Sequence, residues 1–328
     1  MRDVTLGQSH SRANSTNTAW AIWTTFCSSL NVDPVALDVP DRISLLQVFA
    51  HRYRHGELSS SRTQVRGRTV GDALRAIGQT LTHLGHPDPR LTPAGTIHLR
   101  LQRLLSSYNR SDPPPSRVKP VPLDLIRQVC TQNRASVHPL GHATADMVAL
   151  AFFFLLRPGE YAKSTNPDST PFRLCDIHLR AGNTRIQHLS CPLNELHTAT
   201  FVCLEFTNQK NGVRGELIGL GKSGDADFCP VNTTIERVLH LRHHHAPPQT
   251  PLYSYFTRRW EAVTTSHLTS TLRHAAAAMG RAVGIIPSDI SVRSLRASGA
   301  TALFCAQVDP NRIRLLGRCV SIHALERS

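Results

Sequence analysis

The 328-residue sequence predicts a mainly α-helical protein with a small antiparallel β-sheet, divided into two domains. Three observations carry this reading. Apolar residues recur at helical spacing through residues 1–110. Residues 111–122 then hold five prolines, which forbid helix and favour an extended connector. Beyond it, in residues 123–328, a second set of helical patterns is interrupted by segments rich in β-branched and aromatic residues.

The elements follow in order. Residues 15–30 place Trp20, Trp23, Phe26 and Cys27 on one helical face. Residues 41–53 do so with Leu45, Leu46, Val48 and Phe49, and residues 69–84 with Val70, Ala73, Leu74, Ile77 and Leu81. Residues 100–108 form a fourth helix, completing a small bundle. After the connector, 122–133 and 143–156 read as helices. The apolar run 147–156 is too short to cross a bilayer and reads as a buried core helix. Residues 172–179 and 200–206 read as strands, Asn211-Gly212 as a turn, and 216–220 as a return strand. Helices resume at 231–244, 266–283, 293–306 and 311–317. The chain has no internal repeat.

Lysine and arginine number 37 against 23 acidic residues, a formal charge of +14. Such an excess favours a polyanionic partner, nucleic acid before an acidic membrane. Eight cysteines without a CxxC pair argue for reduced thiols in an intracellular protein rather than a disulfide framework or zinc site. His243, His244 and His245 are adjacent, so on a helix they point in different directions and suit a solvated basic helix end better than a metal site. The N-terminus lacks the apolar core of a signal peptide. Gly219-Leu-Gly-Lys-Ser223 is not a phosphate loop, because the glycine that G-x-x-x-x-G-K-S requires is Glu216 here.

Four patches of the second domain carry the candidate chemistry. In Leu155-Leu-Arg-Pro-Gly-Glu-Tyr161, Arg157 emerges where a buried helix ends at a Pro-Gly turn, a position that also suits a helix C-terminal cap. Lys210 lies beside the turn between two strands. Arg293 and Arg296 are three apart on a helix, so they share a face and repel unless an anion lies between them. Ser298, Gly299 and Ala300 behind them permit close helix packing. Ile313-Arg-Leu-Leu-Gly-Arg-Cys319 is a short amphipathic helix with a glycine end.

In this order the patches resemble the tyrosine recombinases, the phage-type integrase family of DNA breaking-rejoining enzymes. That family presents an arginine after an apolar helix, a lysine on a β-hairpin, an H-x-x-R box, a His or Trp after Leu-Gly-[His/Arg], and then a tyrosine. The resemblance is strongest in Ser-Leu-Arg-Ala-Ser-Gly-Ala-Thr (294–301) and Arg314-Leu-Leu-Gly-Arg318, and is nearest to eukaryotic mobile-element members. It implies an N-terminal helical, SAM-like core-binding bundle and a catalytic-type domain that together clamp double-stranded DNA. It also implies assembly as a homo-oligomer on DNA, no metal or nucleotide cofactor, no membrane association, and nuclear localisation if the source is eukaryotic. Arg157 and Arg296 would grip the non-bridging oxygens of the scissile phosphate, Lys210 would protonate the leaving 5′-oxygen, and Glu160 would orient an arginine.

The sequence departs from the family at three positions. Arg293 replaces the first histidine of the box and can bind phosphate but cannot act as a base. Cys319, 23 residues beyond Arg296, replaces the His or Trp with a smaller, weaker donor. The nucleophile slot, nine residues on, falls at Ser328, since all five tyrosines precede Arg293. Duplex binding without cleavage, with weaker assembly for want of the family's docking C-terminal helix, is the leading expectation. A decayed mobile-element product and a basic helical interaction module remain as alternatives.

Overall fold

A computed structural model describes residues 10–35, 41–59, 61–114, 118–207, 214–279 and 284–318. The chain divides into two compact units, Met1–Pro115 and Ser116–Ser328.

The first unit contains helices α1 (His10–Ser29), α2 (Arg42–Arg54), α3 (Gly67–His83) and α4 (Leu99–Ser111). Asp41 caps α2 by accepting from the Ser44 amide at 3.0 Å. Trp23, Phe26 and Phe49 pack at centroid separations of 5.3–5.7 Å around Leu46, Leu74, Ile77 and Leu81. All five α3 residues expected inside are buried. On α2, however, Val48 is exposed and Ile43 and Ala50 are buried in its place. The apolar stripe is thus rotated towards Ala50, one of the small residues that the bulkier neighbours obscured.

The second unit is built on α6 (Pro139–Phe153), whose residues from Ala143 to Phe152 are all buried. Flanking it are α5 (Leu123–Arg134), α8 (Pro230–His243), α9 (Thr265–Met279) and α10 (Ser294–Cys305). The four-residue turn α7 (Pro158–Tyr161) follows α6, and α11 (Pro310–Leu316) follows α10. A four-stranded antiparallel sheet has the order β2-β1-β3-β4, from β1 (Ile177–Ala181), β2 (Thr184–Ile186), β3 (Phe201–Phe206) and β4 (Glu216–Gly221). Its inner face alternates Val202, Leu204 and Phe206 on β3, with Phe206 opposite Glu216. The hairpin β5 (Ser254–Phe256) and β6 (Trp260–Ala262) lies apart from it. Residues 172–179 divide into a 3₁₀ turn at Leu174–Asp176 and then β1. Strands β2, β5 and β6 have only three residues each, too few for alternation to register in the sequence.

The small-residue stretch of α10 does what its composition suggests. Gly299 abuts the C-terminal turn of α6, and a Cβ there would collide with the Phe152 carbonyl and Leu155 Cδ2. Ser298 Oγ donates to the Ser294 carbonyl and accepts from the Val121 amide, both at 2.7 Å.

Buried polar groups gather along α8. Asp146 lies 3.5 Å from the fully buried Arg237, and burial pushes its carboxyl up to about 6. His240 accepts from the Phe256 amide at 3.1 Å, and burial beside Arg237 pulls it down to about 3.

Two outcomes follow from these contacts. Gly299→Ala should destabilise the second unit by roughly 1–3 kcal/mol through overpacking, read as a lower urea midpoint at unchanged slope. Because His240 titrates lower in the folded state than in the unfolded chain, acid from pH 6.5 towards about 3 draws protons to the unfolded state and costs stability. Asp146 works oppositely from about 6 downward. Against His240→Gln, which leaves Asp146 in place, the wild type should lose relative stability as pH falls through that window. Parallel midpoint–pH curves would refute the assignment.

Candidate phosphate-binding site

The site is assembled where α6 ends. Phe154 caps the helix and Leu155 adopts φ +50°, left-handed backbone that usually calls for glycine. The Leu156 amide closes onto the Ala151 carbonyl at 3.1 Å, completing a Schellman-type end. Leu155 tolerates the strain because its side chain is buried and its carbonyl accepts two guanidiniums. Arg296 Nη1, from the first turn of α10, donates to it at 3.0 Å. Arg318 Nη2, just past α11, donates at 3.0 Å as well. Arg296 Nη2 also donates to the Gly317 carbonyl, tying α10 to the end of α11.

Two residues on, Arg157 precedes α7, with Pro158 at the first helical position. Glu160 reaches back to accept from the Arg157 amide at 2.7 Å. The same carboxylate pairs with Arg157 Nη1 at 3.2 Å and Arg318 Nη2 at 3.1 Å. Two guanidiniums therefore share one carboxylate, and Arg296 adjoins them through the Leu155 carbonyl. Arg157 is the most open of the pairs' cations, its side chain 29% exposed, whereas that of Arg318 is 0% exposed. The Arg318 Cζ lies 3.8 Å from the centre of the Phe206 ring, a cation–π contact from the end of β3. Burial lowers its pKa to about 10; Glu160 opposes the shift, and the Arg296 and Arg157 charges add to it. It remains cationic at neutral pH. Arg318 Nε and Nη1 have no hydrogen-bond acceptor among the described residues.

Arg157 and Arg296, distant in sequence, thus meet at one carbonyl–carboxylate frame. Arg293 occupies the position just before α10 rather than its first turn, and is exposed. Lys210, Cys319 and Ser328 lie outside the described residues. Arg318 is the residue that sequence counting passed over. A count of 23 from Arg296 selects Cys319, but the side chain turned into the site follows Leu316-Gly317 directly. Gly317 itself is right-handed, and Arg318 takes the left-handed conformation at φ +53°. Tyr161, adjacent to Glu160, is locked by donating to the Val292 carbonyl at 2.7 Å, and burial pushes its phenol well above the ordinary range. It is a structural tyrosine. Val292 also lines a groove of about 690 Å³ along α9 whose other walls include Thr265, Ser266, Thr269, Ser270 and Arg273.

Chemically, the frame offers planar N–H forks, and its carboxylate, Glu160, is engaged by Arg157 and Arg318. It suits binding of a tetrahedral oxyanion and stabilisation of growing charge on it. Among the described residues no cluster of His, Cys, Asp and Glu is arranged to hold a metal, and no helix is long and apolar enough to cross a membrane.

No family model matches the chain, and no curated protein matches it. Solved structures do. The integrase of transposon Tn1549 in complex with circular-intermediate DNA superposes with a TM-score of 0.55 at 12% identity, covering 97% of this chain and 89% of that one. The XerH site-specific recombinase bound to a palindromic difH substrate, in a post-cleavage complex, gives 0.53 at 11% identity, covering 89% and 69%. Its pre-cleavage complex gives 0.50 at 13%, covering 89% and 67%. The fold is that of the tyrosine recombinases and integrases.

Glu160 is the sole carboxylate shown pairing with Arg157 and Arg318 among the described residues. Its replacement by Gln should therefore cost on the order of 3 kcal/mol, seen as a depressed thermal midpoint. An unchanged midpoint would show that the guanidiniums do not depend on it.

Proposed function

We propose that this chain binds duplex DNA as a protein of the tyrosine recombinase type, seating a backbone phosphate on Arg157 and Arg296 with Arg318 behind them. The observation that carries the reading is the convergence of these guanidiniums on the Leu155 carbonyl and Glu160 with net positive charge. The neighbouring groove along α9, with hydroxyl and guanidinium groups on its walls, supplies donors of the kind that hold further phosphates. Exposed Arg62, Arg66, Arg103 and Arg110 give the helical unit a basic surface as well, in keeping with a core-binding role for residues 1–110. The solved relatives in fold are themselves held with DNA.

Strand cleavage is a separate matter. In the family it needs a tyrosine beyond the second arginine, and the last tyrosine of this sequence is Tyr255. Of the substituted positions, Arg293 has no basic lone pair to offer at neutral pH. We therefore expect the 328-residue chain to bind duplex without forming a covalent phosphotyrosyl link. A mobile-element origin accords with the transposon integrase among the structures of similar fold. Intracellular, DNA-directed action and assembly of several copies on one duplex complete the proposal.

Duplex affinity measured by fluorescence anisotropy across a salt series tests the binding. Replacing Arg157 and Arg296 together by Ala should weaken binding at every sequence and lower the salt slope by about one, the share of the single phosphate they hold. An unchanged slope would favour a basic interaction module whose DNA affinity is independent of the site. A suicide substrate that traps covalent intermediates tests the second part: no adduct is expected, and an adduct with this chain would contradict it.

A further inference from the structure

The second unit holds another cationic feature, at which the proposed DNA site has no residue. A cavity of about 940 Å³ lies between the end of α5, the start of α6, the 3₁₀ turn Leu193–Thr198, the loop after β4, and α8. Arg237, on α8, lines this cavity and is completely buried. None of its three side-chain nitrogens has a hydrogen-bond acceptor among the described residues. Its nearest counter-charge, Asp146 Oδ2, stands 3.5 Å away, beyond good hydrogen-bond distance.

Charge makes the deficit sharper. Asp146 is shared with Arg134, 3.8 Å off, so two guanidiniums face one buried carboxylate. Arg134 has other acceptors, the Asp227 carbonyl and Thr233 Oγ1. Arg237 has none. Water entering the cavity could accept from its nitrogens but would leave the excess charge uncompensated, whereas an anion would meet both needs.

The surrounding groups suit an oxyanion. The first turn of α6 opens at the cavity, with Pro139 and His142 on its wall, and a helix N-terminus favours negative charge. His240 uses Nε2 to accept from the Phe256 amide, so its proton is on Nδ1, a donor on a residue lining the cavity. Lys222 is exposed at the rim. Glu236 and Asp227 also border the cavity, and both are exposed to solvent, where their opposing charges are screened.

We infer that this cavity is a binding site for a small molecule bearing a phosphate-class oxyanion, received by the fork of Arg237 with Lys222 at the entrance. The inference does not rest on DNA binding, since Arg157, Arg296 and Arg318 do not line the cavity.

The test uses the full chain carrying Arg157→Ala and Arg296→Ala, which removes phosphate uptake by the other cluster. Inorganic phosphate and, separately, a nucleoside monophosphate are titrated while the Phe256 backbone amide is followed by NMR, with chloride at matched ionic strength as control. A saturable shift with either probe, absent with chloride, is expected. Response to phosphate alone identifies a free-anion site, and preference for the monophosphate identifies an ester. Arg237→Lys should weaken binding at least about tenfold by losing the planar fork. Should that variant not fold, exposed Lys222→Ala decides, with a loss of about threefold. No saturable shift, or a shift equally produced by chloride, overturns the inference. So does one that the tested substitutions leave unchanged.

Discussion

One carbonyl oxygen organises the second unit's cationic site. The helix that forms the core of that unit stops at Phe153, and the backbone turns left-handed at Leu155 to expose its carbonyl. Onto that oxygen come Arg296, 141 residues later, and Arg318, 163 residues later. Each hydrogen bond of this charged kind contributes more than a neutral one, and their common acceptor fixes three helix ends together. A leucine in a backbone conformation costing about 1 kcal/mol is held there by burial and by these two partners. The arginines are thereby preorganised before any ligand arrives.

That preorganisation has a physical cost, the mutual repulsion of Arg157, Arg296 and Arg318. Glu160 offsets part of it and the Phe206 ring another part. The remainder would give the proposed phosphate site its preference for anions. An oxyanion entering there replaces solvent with fixed donors, and does not require them to reorganise. The same chemistry limits the site. Guanidiniums stabilise charge but do not shuttle protons at neutral pH, so the frame by itself is a receptor.

Much of this was legible in the sequence because it depended on strong local signals. The apolar run of α6 and the alternation of β3 identify themselves, and the small residues 298–300 announce the close approach of α10 that sets Gly299 against Phe152. Arg157 and Arg296 stand out in the sequence by their neighbours, Pro158-Gly-Glu and Ser-Leu-Arg-Ala-Ser-Gly. Arg318 does not, because counting along the chain assumes a connection of fixed length. Its placement depends instead on where α11 stops and which residue turns left-handed, and there Arg318 rather than Gly317 bears the positive φ. The three-residue strands escaped for want of length, and the cavity around Arg237 because its walls come from segments far apart in sequence.

The central claim is that Arg157 and Arg296 hold the same phosphate. The most direct measurement is a double-mutant cycle on duplex affinity at low salt, using Arg157→Ala, Arg296→Ala and the pair. Shared grip on one phosphate predicts strong non-additivity, a coupling of about 1 kcal/mol or more. Losses that add to within about 0.5 kcal/mol would mean the two side chains act on separate parts of the duplex, and would contradict the account.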